Sequence, residues 1–228
     1  MKSVKITKKE TAKRQYDDAC GVAHGLELVG ERWALLVMRE LFFGPRRFMD
    51  LRADLPGISA NVLTQRLEGL VAAGIAVRKK LPPPASVQVY DLTDWGREAE
   101  PIFQSLGRWA ARSPAHNPMQ HFSATSLMLS MRTLFDPRRA KSLAAHIGFV
   151  PGEQHFVATI ADGAFTVVPG DVSDCDVAFT GKPAFVAAAL YSGGTLEELE
   201  KTGALKIIGD RKLAKKFVTL FPLPAKVA

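Results

Sequence analysis

Residues 46–92 decide the fold of this chain, and they read RRFMDLRADLPGISANVLTQRLEGLVAAGIAVRKKLPPPASVQVYDL. The spacing of Phe48, Leu51 and Leu55 places their side chains along one face of a short helix. Pro56-Gly57 ends that helix, because proline and glycine interrupt helical structure. A longer helix and two basic strands joined by a proline-rich tip follow. This order of elements predicts a winged helix–turn–helix.

The second helix of this segment has two different faces. Ser59 can cap its first turn, and its apolar residues form a stripe to be buried: Leu63, Leu67, Leu70 and Val71. The opposite face carries short polar groups: Asn61, Thr64, Gln65 and Glu68. Amides and hydroxyls can exchange hydrogen bonds with base edges in the major groove of DNA. We therefore predict that this face reads a double-stranded operator.

Positive charge is concentrated in two parts of the chain, whose formal net charge is +7. Residues 1–16 contain six basic side chains against Glu10 and show no apolar periodicity, which predicts a flexible basic arm. The second concentration spans 46–80, where basic residues again outnumber acidic ones. Such an excess favours a polyanionic partner.

Within the second basic concentration, two groups are predicted to contact DNA phosphates, which would fix the register of the protein on the duplex. One group is Arg46 and Arg47, at the start of the first helix, and the other is Arg78-Lys79-Lys80, in the first strand of the wing. Solvated surface charge is the alternative reading for both groups.

The remaining sequence predicts two domains of α+β class. A helix from 94 to about 112 has little to pack on in a small domain, so it is a candidate dimerisation element. Residues 113–121 have the composition of a linker, which assigns 17–112 to a winged-helix domain and 122–228 to a second domain. The second domain begins with a helix at 125–135.

Strands follow that helix in the second domain. The stretch 155–169 gives two alternating strands joined by Asp162-Gly163, a pair typical of hairpins. Residues 175–181 give a third strand. A short strand and an amphipathic last helix, capped by Asp210, occupy 204–221.

Several functional classes find no support in the sequence. The first twenty residues lack the apolar run of a signal peptide, and no stretch is long enough to span a membrane, so no membrane partner is expected. Cys20 and Cys175 cannot make a disulfide framework, which favours the cytoplasm. The five histidines lack metal-ligand spacing, and no nucleophile elbow or dinucleotide-binding turn is present. We expect no catalysis, no metal and no cofactor.

The N-terminal half resembles the HxlR-type regulators, a branch of the MarR-like winged-helix proteins. The matching residues run in unbroken order: Cys20-Gly21-Val22, Gly30-Glu31-Arg32-Trp33, Arg39-Glu40-Leu41, Gly44-Pro45-Arg46-Arg47-Phe48, Leu55-Pro56-Gly57-Ile58-Ser59, Leu63-Thr64-Gln65-Arg66-Leu67, Leu70, Gly74-Ile75, Tyr90, Leu92-Thr93 and Gly96. The resemblance implies a homodimer that binds a palindromic operator, with one recognition helix in each half-site and the wing on flanking DNA. It places Ser59, Asn61, Thr64, Gln65 and Arg66 in the recognition helix and Arg78, Lys79 and Lys80 in the wing.

Cys20 has two readings. In the family, a cysteine at this place is usually followed by proline, and in some members it senses oxidants or electrophiles. Here Gly21 replaces that proline, and no lysine or arginine lies within four positions to activate the thiol. A small, partly buried apolar residue at a helix start is the alternative.

The C-terminal half resembles a sterol-carrier-protein-type domain. The matching parts are the strand pair 155–168, Asp176-Val177-Ala178-Phe179-Thr180, Ala188-Ala189-Leu190 and Gly203-Ala204-Leu205-Lys206-Ile207-Ile208-Gly209-Asp210. The resemblance implies a five-stranded sheet beside helices, with an apolar cavity that holds a lipid or acyl chain in carriers and would hold an effector in a regulator. Candidate wall residues are Met128, Met131, Phe156, Phe165, Phe179, Phe185, Tyr191 and Phe217, with ordinary core as the alternative.

Together these observations predict a dimeric, sequence-specific DNA-binding transcriptional regulator that responds to a small apolar ligand in its C-terminal domain. One alternative is a lipid or acyl-ligand carrier whose winged helix serves dimerisation. Another is an oxidant or electrophile sensor that acts through Cys20.

Overall fold

The computed structural model describes residues 16–118 and 120–227. Residues 1–15, nearly all of the predicted basic arm, lie outside the described residues. The described chain is α+β, as predicted, with helices and a hairpin in its first half and a five-stranded sheet with helices in its second.

The first half contains the predicted winged helix–turn–helix. Its elements are α1 (Gly21–Val29), α2 (Ala34–Glu40), α3 (Phe48–Asp54), α4 (Ala60–Ala72), β1 (Ala76–Lys80), β2 (Gln88–Leu92), α5 (Asp94–Arg97) and α6 (Glu100–Ala110). The single helix predicted from 94 to about 112 is wrong, because the structure breaks it after Arg97. Pro101 lies in the first turn of α6, and in a continuous helix its ring would clash with the carbonyl of Arg97.

The helix–turn–helix follows its local sequence signals. The Ser59 hydroxyl accepts a hydrogen bond from the amide of Val62 at 3.2 Å, which confirms the predicted cap of α4. Gly57 adopts a φ of 91° in the turn, a conformation that favours glycine. Val71 is 37% exposed, so the buried stripe consists of the three leucines alone.

The second half contains α7 (Ala124–Leu134), α8 (Pro137–Ala140), β3 (Ala145–Val150), β4 (Phe156–Ala161), β5 (Ala164–Pro169), β6 (Val177–Gly181), α9 (Pro183–Tyr191), α10 (Leu196–Lys201), β7 (Leu205–Gly209) and α11 (Arg211–Phe217). The strand order is β5-β4-β3-β6-β7, with β3 and β6 parallel and the other pairs antiparallel. Five strands agree with the sterol-carrier resemblance. The residue pattern missed β3, the central strand, because Ile147, Gly148 and Phe149 are all buried and give no alternation.

The Gly209-Asp210 pair has a clear structural reason. Gly209 has a φ of 101°, and a Cβ atom there would lie 2.2 Å from the carbonyl oxygen of Asp176 on the neighbouring strand. Only glycine fits this close approach. Asp210 then caps α11, accepting hydrogen bonds from the amides of Lys212 and Leu213 at 2.8 and 3.1 Å.

The two halves share a packed boundary, here called the seam, in which α2 and α6 contact α7. Leu129 of α7 is buried in the core of the first half, while Phe43 packs against the core of the second half and meets Phe156 edge-on at 5.5 Å between ring centroids. Arg132 of α7 donates to both carboxylate oxygens of Glu100 at 2.9 Å. The winged helix is therefore joined to the second half by apolar packing and by an ion pair.

None of the helices in the described ranges combines the length and hydropathy needed to cross a membrane. Within the same ranges, no group of three or more histidine, cysteine, aspartate or glutamate residues could hold a metal ion. Cys20 and Cys175 are both free thiols, the first exposed and the second half-buried.

Candidate nucleic-acid interface

The exposed face of α4 is here called the reading surface, and it consists of Asn61, Thr64, Gln65 and Glu68. All four side chains are exposed, while Leu63, Leu67 and Leu70 on the opposite face are buried. The Thr64 hydroxyl donates to the carbonyl of Ala60 at 3.0 Å and keeps its lone pairs for a partner. Within the described part of the chain, neither the Asn61 amide nor the Gln65 amide is engaged in a hydrogen bond. Both amides are available to base edges.

Arg46 does not lie on this surface. Its guanidinium pairs with the carboxylate of Asp54, and its side chain is only 13% exposed. Its backbone also exchanges two hydrogen bonds of 2.8 Å with Tyr90 of β2, so it joins the wing rather than opening α3. Arg46 is therefore less available to a phosphate than the sequence predicts. Arg47, at the N-cap of α3, is exposed and keeps that prediction.

Arg66 also points away from the reading surface. Its Nη2 donates to the Glu31 carboxylate at 2.9 Å, and its Nε donates to the Arg32 carbonyl at 3.0 Å. These bonds tie α4 to the turn that precedes α2. The structure therefore favours a positioning role for Arg66 over the direct DNA contact predicted from the sequence.

The three basic residues of the wing differ in their surroundings. Arg78 donates to the side-chain oxygen of Gln88 at 2.6 Å, and Lys79 pairs with Asp91 at 2.6 Å. Lys80 is exposed, lies opposite Gln88 in the β1–β2 register, and makes no ion pair among the described residues. Of the three, Lys80 is the most available for a phosphate.

Comparison with known proteins agrees with this geometry. Residues 28–117 match the family of the HxlR-like helix-turn-helix. YvaP of Bacillus subtilis (strain 168), named as an HTH-type transcriptional regulator, is 33% identical over 85 residues, which are 37% of this chain and 79% of YvaP. The chain belongs to the HxlR-like helix-turn-helix family. The match to this family ends at residue 117.

A second relative gives the same assignment. The regulator YodB of the same strain is 35% identical over 83 residues, covering 36% of this chain and 74% of YodB. The structure of reduced YodB aligns at 30% identity over 43% of this chain and 97% of that chain, with a TM-score of 0.39. Residues 131–222 match the SCP-2 sterol transfer family, which gives this HxlR-like protein an SCP2-like second half.

The eight residues predicted to line a cavity in the SCP2-like half are mostly core. Five are completely or almost completely buried: Met128, Met131, Phe156, Phe179 and Phe217. The rings of Phe217 and Phe179 lie 5.8 Å apart, and Phe165 packs on Phe217 and Phe221. Because these rings contact one another between the sheet and its helices, they fill the space that a carrier would leave open. Of these five, Phe156 also borders a space where the two halves meet, and the packing of the other four favours the alternative reading as ordinary core.

Phe185 and Tyr191 complete that set. Phe185 is half-buried on α9, whereas Tyr191 lines an open space of about 310 Å³ that we call the interdomain groove. Its walls come from α2 and α6 of the winged helix and from α7, and most of them are apolar. The Tyr191 hydroxyl lies 2.5 Å from that of Ser130 and provides a polar group at one wall.

Sequence reasoning missed Glu40, the last residue of α2. Its side chain is 0% exposed at the seam, where Oε1 accepts hydrogen bonds from Arg39 at 2.8 Å and from Ser123 at 2.9 Å. Burial raises the pKa of the Glu40 carboxyl, and the charge of Arg39 offsets this only in part. The available signal was its position three residues after the buried Val37, on the apolar face of the helix.

We predict that Glu40 makes stability depend on pH. Because its pKa is raised in the folded state, the protonated carboxyl stabilises the fold below the ordinary value of 4.5, and this contribution is lost as pH rises through the folded-state pKa. Relative to Glu40→Gln, the wild type should lose unfolding free energy as pH increases from 4.5 towards neutrality. Urea unfolding at a series of pH values measures this.

The exposed Glu153→Gln is the matched control and should keep a constant difference from the wild type. A constant difference for Glu40→Gln across the same pH range would contradict the assigned role of burial.

Proposed function

We propose that this HxlR-like protein is a dimeric transcriptional regulator of the cytoplasm that binds a palindromic operator in double-stranded DNA. The observation that carries the proposal is the exposed row of unengaged amides on α4, held outward by three buried leucines. Asparagine and glutamine side chains can bond adenine through two hydrogen bonds in the major groove. Asn61 and Gln65 are therefore assigned to base reading.

Phosphate contacts follow from the exposed cations on either side of the reading surface. Arg47 lies at the start of α3, and Arg78 and Lys80 lie on the wing. Cations at such places position a protein on the duplex and contribute affinity for any sequence. Arg46 and Arg66 serve this surface indirectly through their bonds to Asp54 and Glu31.

Dimerisation is proposed through α6, with α1 beside it in the interface. None of the residues of α6 is buried, and it exposes large apolar side chains: Ile102, Leu106 and Trp109. Val22 and Leu26 of α1 are exposed in the same way. Contiguous exposed apolar residues mark protein–protein interfaces. In a two-fold pair the two α4 helices would enter half-sites separated by one DNA turn, about 34 Å.

Control by an apolar ligand is a further part of the proposal, with the site placed in the interdomain groove. The groove has walls from both halves, so a molecule bound there would contact both the winged helix and the SCP2-like half. A ligand shifts an equilibrium between two arrangements of these halves only by binding the two arrangements unequally. Tyr191 and Ser130 would give the ligand one hydrogen-bonding group.

The structure gives less support to the two alternative functions, a lipid carrier and a sensor that acts through Cys20. A carrier of the sterol-carrier type needs an open cavity inside the SCP2-like half, and there Phe179 and Phe217 pack against one another in the core. A sensor needs an accessible thiol, and Cys20 is exposed, but any surface cysteine has that property. We propose no catalytic reaction for this protein.

Replacement of Gln65 by alanine should relax base preference at one position of each half-site. The loss of a two-bond contact predicts a cost of roughly 1–3 kcal/mol at the preferred base and little change elsewhere. Binding of single-base operator variants, with the operator selected from random duplexes, measures the effect. Gln120→Ala, exposed and outside the winged helix, is the control, and equal preferences in both variants would contradict the assignment.

Lys80→Ala should instead weaken binding to all DNA sequences alike. It should also lower the slope of log affinity against log salt concentration by about 1, because one fewer counterion is released on binding. The matched control is Lys206→Ala, an exposed lysine on β7 far along the chain from the wing. An unchanged salt slope in Lys80→Ala would contradict the proposal that the wing contacts DNA.

Ile102→Asp should separate the dimer, because it places a charge in the proposed apolar contact of α6. Ile102 is 62% exposed in the single chain, and Ile208 on β7 is 54% exposed, so Ile208→Asp is a matched control. Light scattering should give a monomer for the first variant and a dimer for the second. Operator affinity should fall at least tenfold, about 1.4 kcal/mol, only for the first. A dimeric Ile102→Asp would exclude this interface.

A further inference from the structure

A second space at the seam, here called the junction cavity, has a volume of about 170 Å³. It lies where the end of α2 meets the start of α7 and strands β4 and β5. Its lining comes from both halves of the chain: Glu40, Phe43, Pro45 and Arg46 from the first, and Thr125, Gln154, His155, Phe156 and Pro169 from the second. Sequence reasoning assigned no ligand contact here beyond Phe156.

Three buried polar atoms of the residues that line this cavity have no hydrogen-bond partner. They are Oε2 of Glu40, Nη1 of Arg46 and Oγ1 of Thr125, and they are the unpaired buried side-chain atoms found among the described residues. Glu40 is 0% exposed and Thr125 is 1% exposed. An unpaired buried polar group destabilises a fold by about 1–3 kcal/mol, so such groups are rare and call for an explanation. Here all three belong to residues that line one space.

We propose that the junction cavity binds a small carboxylic acid. The Arg46 guanidinium and the Thr125 hydroxyl would donate to the carboxylate of the ligand, since arginine matches the geometry of that group. Glu40 would share a proton with the ligand, so the two carboxyl groups would carry one negative charge between them. The raised pKa of Glu40 agrees with a retained proton on the protein side.

The apolar lining limits the rest of the ligand. Phe43, Pro45, Phe156 and Pro169 form the apolar part of the lining, beside the polar Gln154 and His155. A water occupies about 30 Å³ of liquid volume, so the cavity exceeds the space of one water several-fold. An acid with a short aliphatic chain or a single ring would satisfy the polar atoms and pack its carbons against the rings.

The site is also placed to influence DNA binding, and this step rests on the proposed function. Arg46 precedes the phosphate candidate Arg47, pairs with Asp54 at the end of α3, and is joined to the wing through Tyr90. A ligand that bridges Arg46 and Thr125 connects the helix–turn–helix to α7. Unequal affinity for two arrangements of these elements would then change operator affinity.

Calorimetric titration of the full chain with acetate, butyrate and benzoate, in buffer without carboxylates and without DNA, tests the site. At least one acid should bind the wild type, and Thr125→Val should weaken that binding at least tenfold. The variant should keep or gain stability in urea unfolding, because it removes an unpaired hydroxyl. Preserved folding separates loss of the site from loss of the protein.

Thr133→Val is the matched control, since Thr133 is a buried threonine of the same helix whose hydroxyl is paired with the Leu129 carbonyl at 2.8 Å. It should leave acid binding unchanged. Absence of binding for all three acids, or equal binding in Thr125→Val and Thr133→Val, would overturn the proposal and leave the cavity to water. Because no DNA is present, failure of the operator proposal would not alter this outcome.

Discussion

One side chain from each half of the chain is packed into or against the core of the other half. Leu129 of α7 is buried among the leucines of the winged helix, and Phe43 lies against Phe156 of the sheet. Burial of a leucine or phenylalanine contributes about 1.5–3 kcal/mol each. The direction and support of α4 depend on this exchange, because α2 contacts both α4 and α7. The seam therefore makes the SCP2-like half part of the support for the reading surface.

Close packing at the seam also buries polar side chains. The Glu40 carboxyl is enclosed with Arg39 and Ser123, which bond one of its two oxygens and leave the other unpaired. An apolar residue at this position would avoid that penalty. The unpaired oxygen of Glu40 at this boundary supports the proposed site for a polar ligand. The interdomain groove, in contrast, offers mainly apolar walls, so the seam presents two chemically different spaces.

The sequence was sufficient for the helix–turn–helix, because the signals there are local. Ser59 caps α4, glycine occupies the turn, and the leucine spacing separates the buried face from the reading surface. The break before α6 was also encoded locally, by Pro101, but was missed. The central strand β3 gives no clear alternation because its middle residues, Ile147, Gly148 and Phe149, are all buried.

The candidate site differs from the sequence reading where side chains make contacts that residue spacing does not predict. The sequence suggests a free cation at Arg46. In the structure its backbone pairs with Tyr90 and its guanidinium pairs with the carboxylate of Asp54. Residue type indicated that Phe179 and Phe217 were apolar, but only three-dimensional packing decided that they fill the core instead of lining a cavity. For Glu40, its position on the apolar face of α2 is a local signal, whereas its hydrogen bond from Ser123 comes from far along the chain and could not be predicted.

Selection of bound duplexes from random DNA by the full-length protein tests operator reading by paired α4 helices most directly. Two copies related by a two-fold axis should enrich an inverted repeat whose half-sites are centred one helical turn apart, about 34 Å. A pool without enrichment, or one enriched in a single asymmetric half-site, would contradict DNA reading by a symmetric pair.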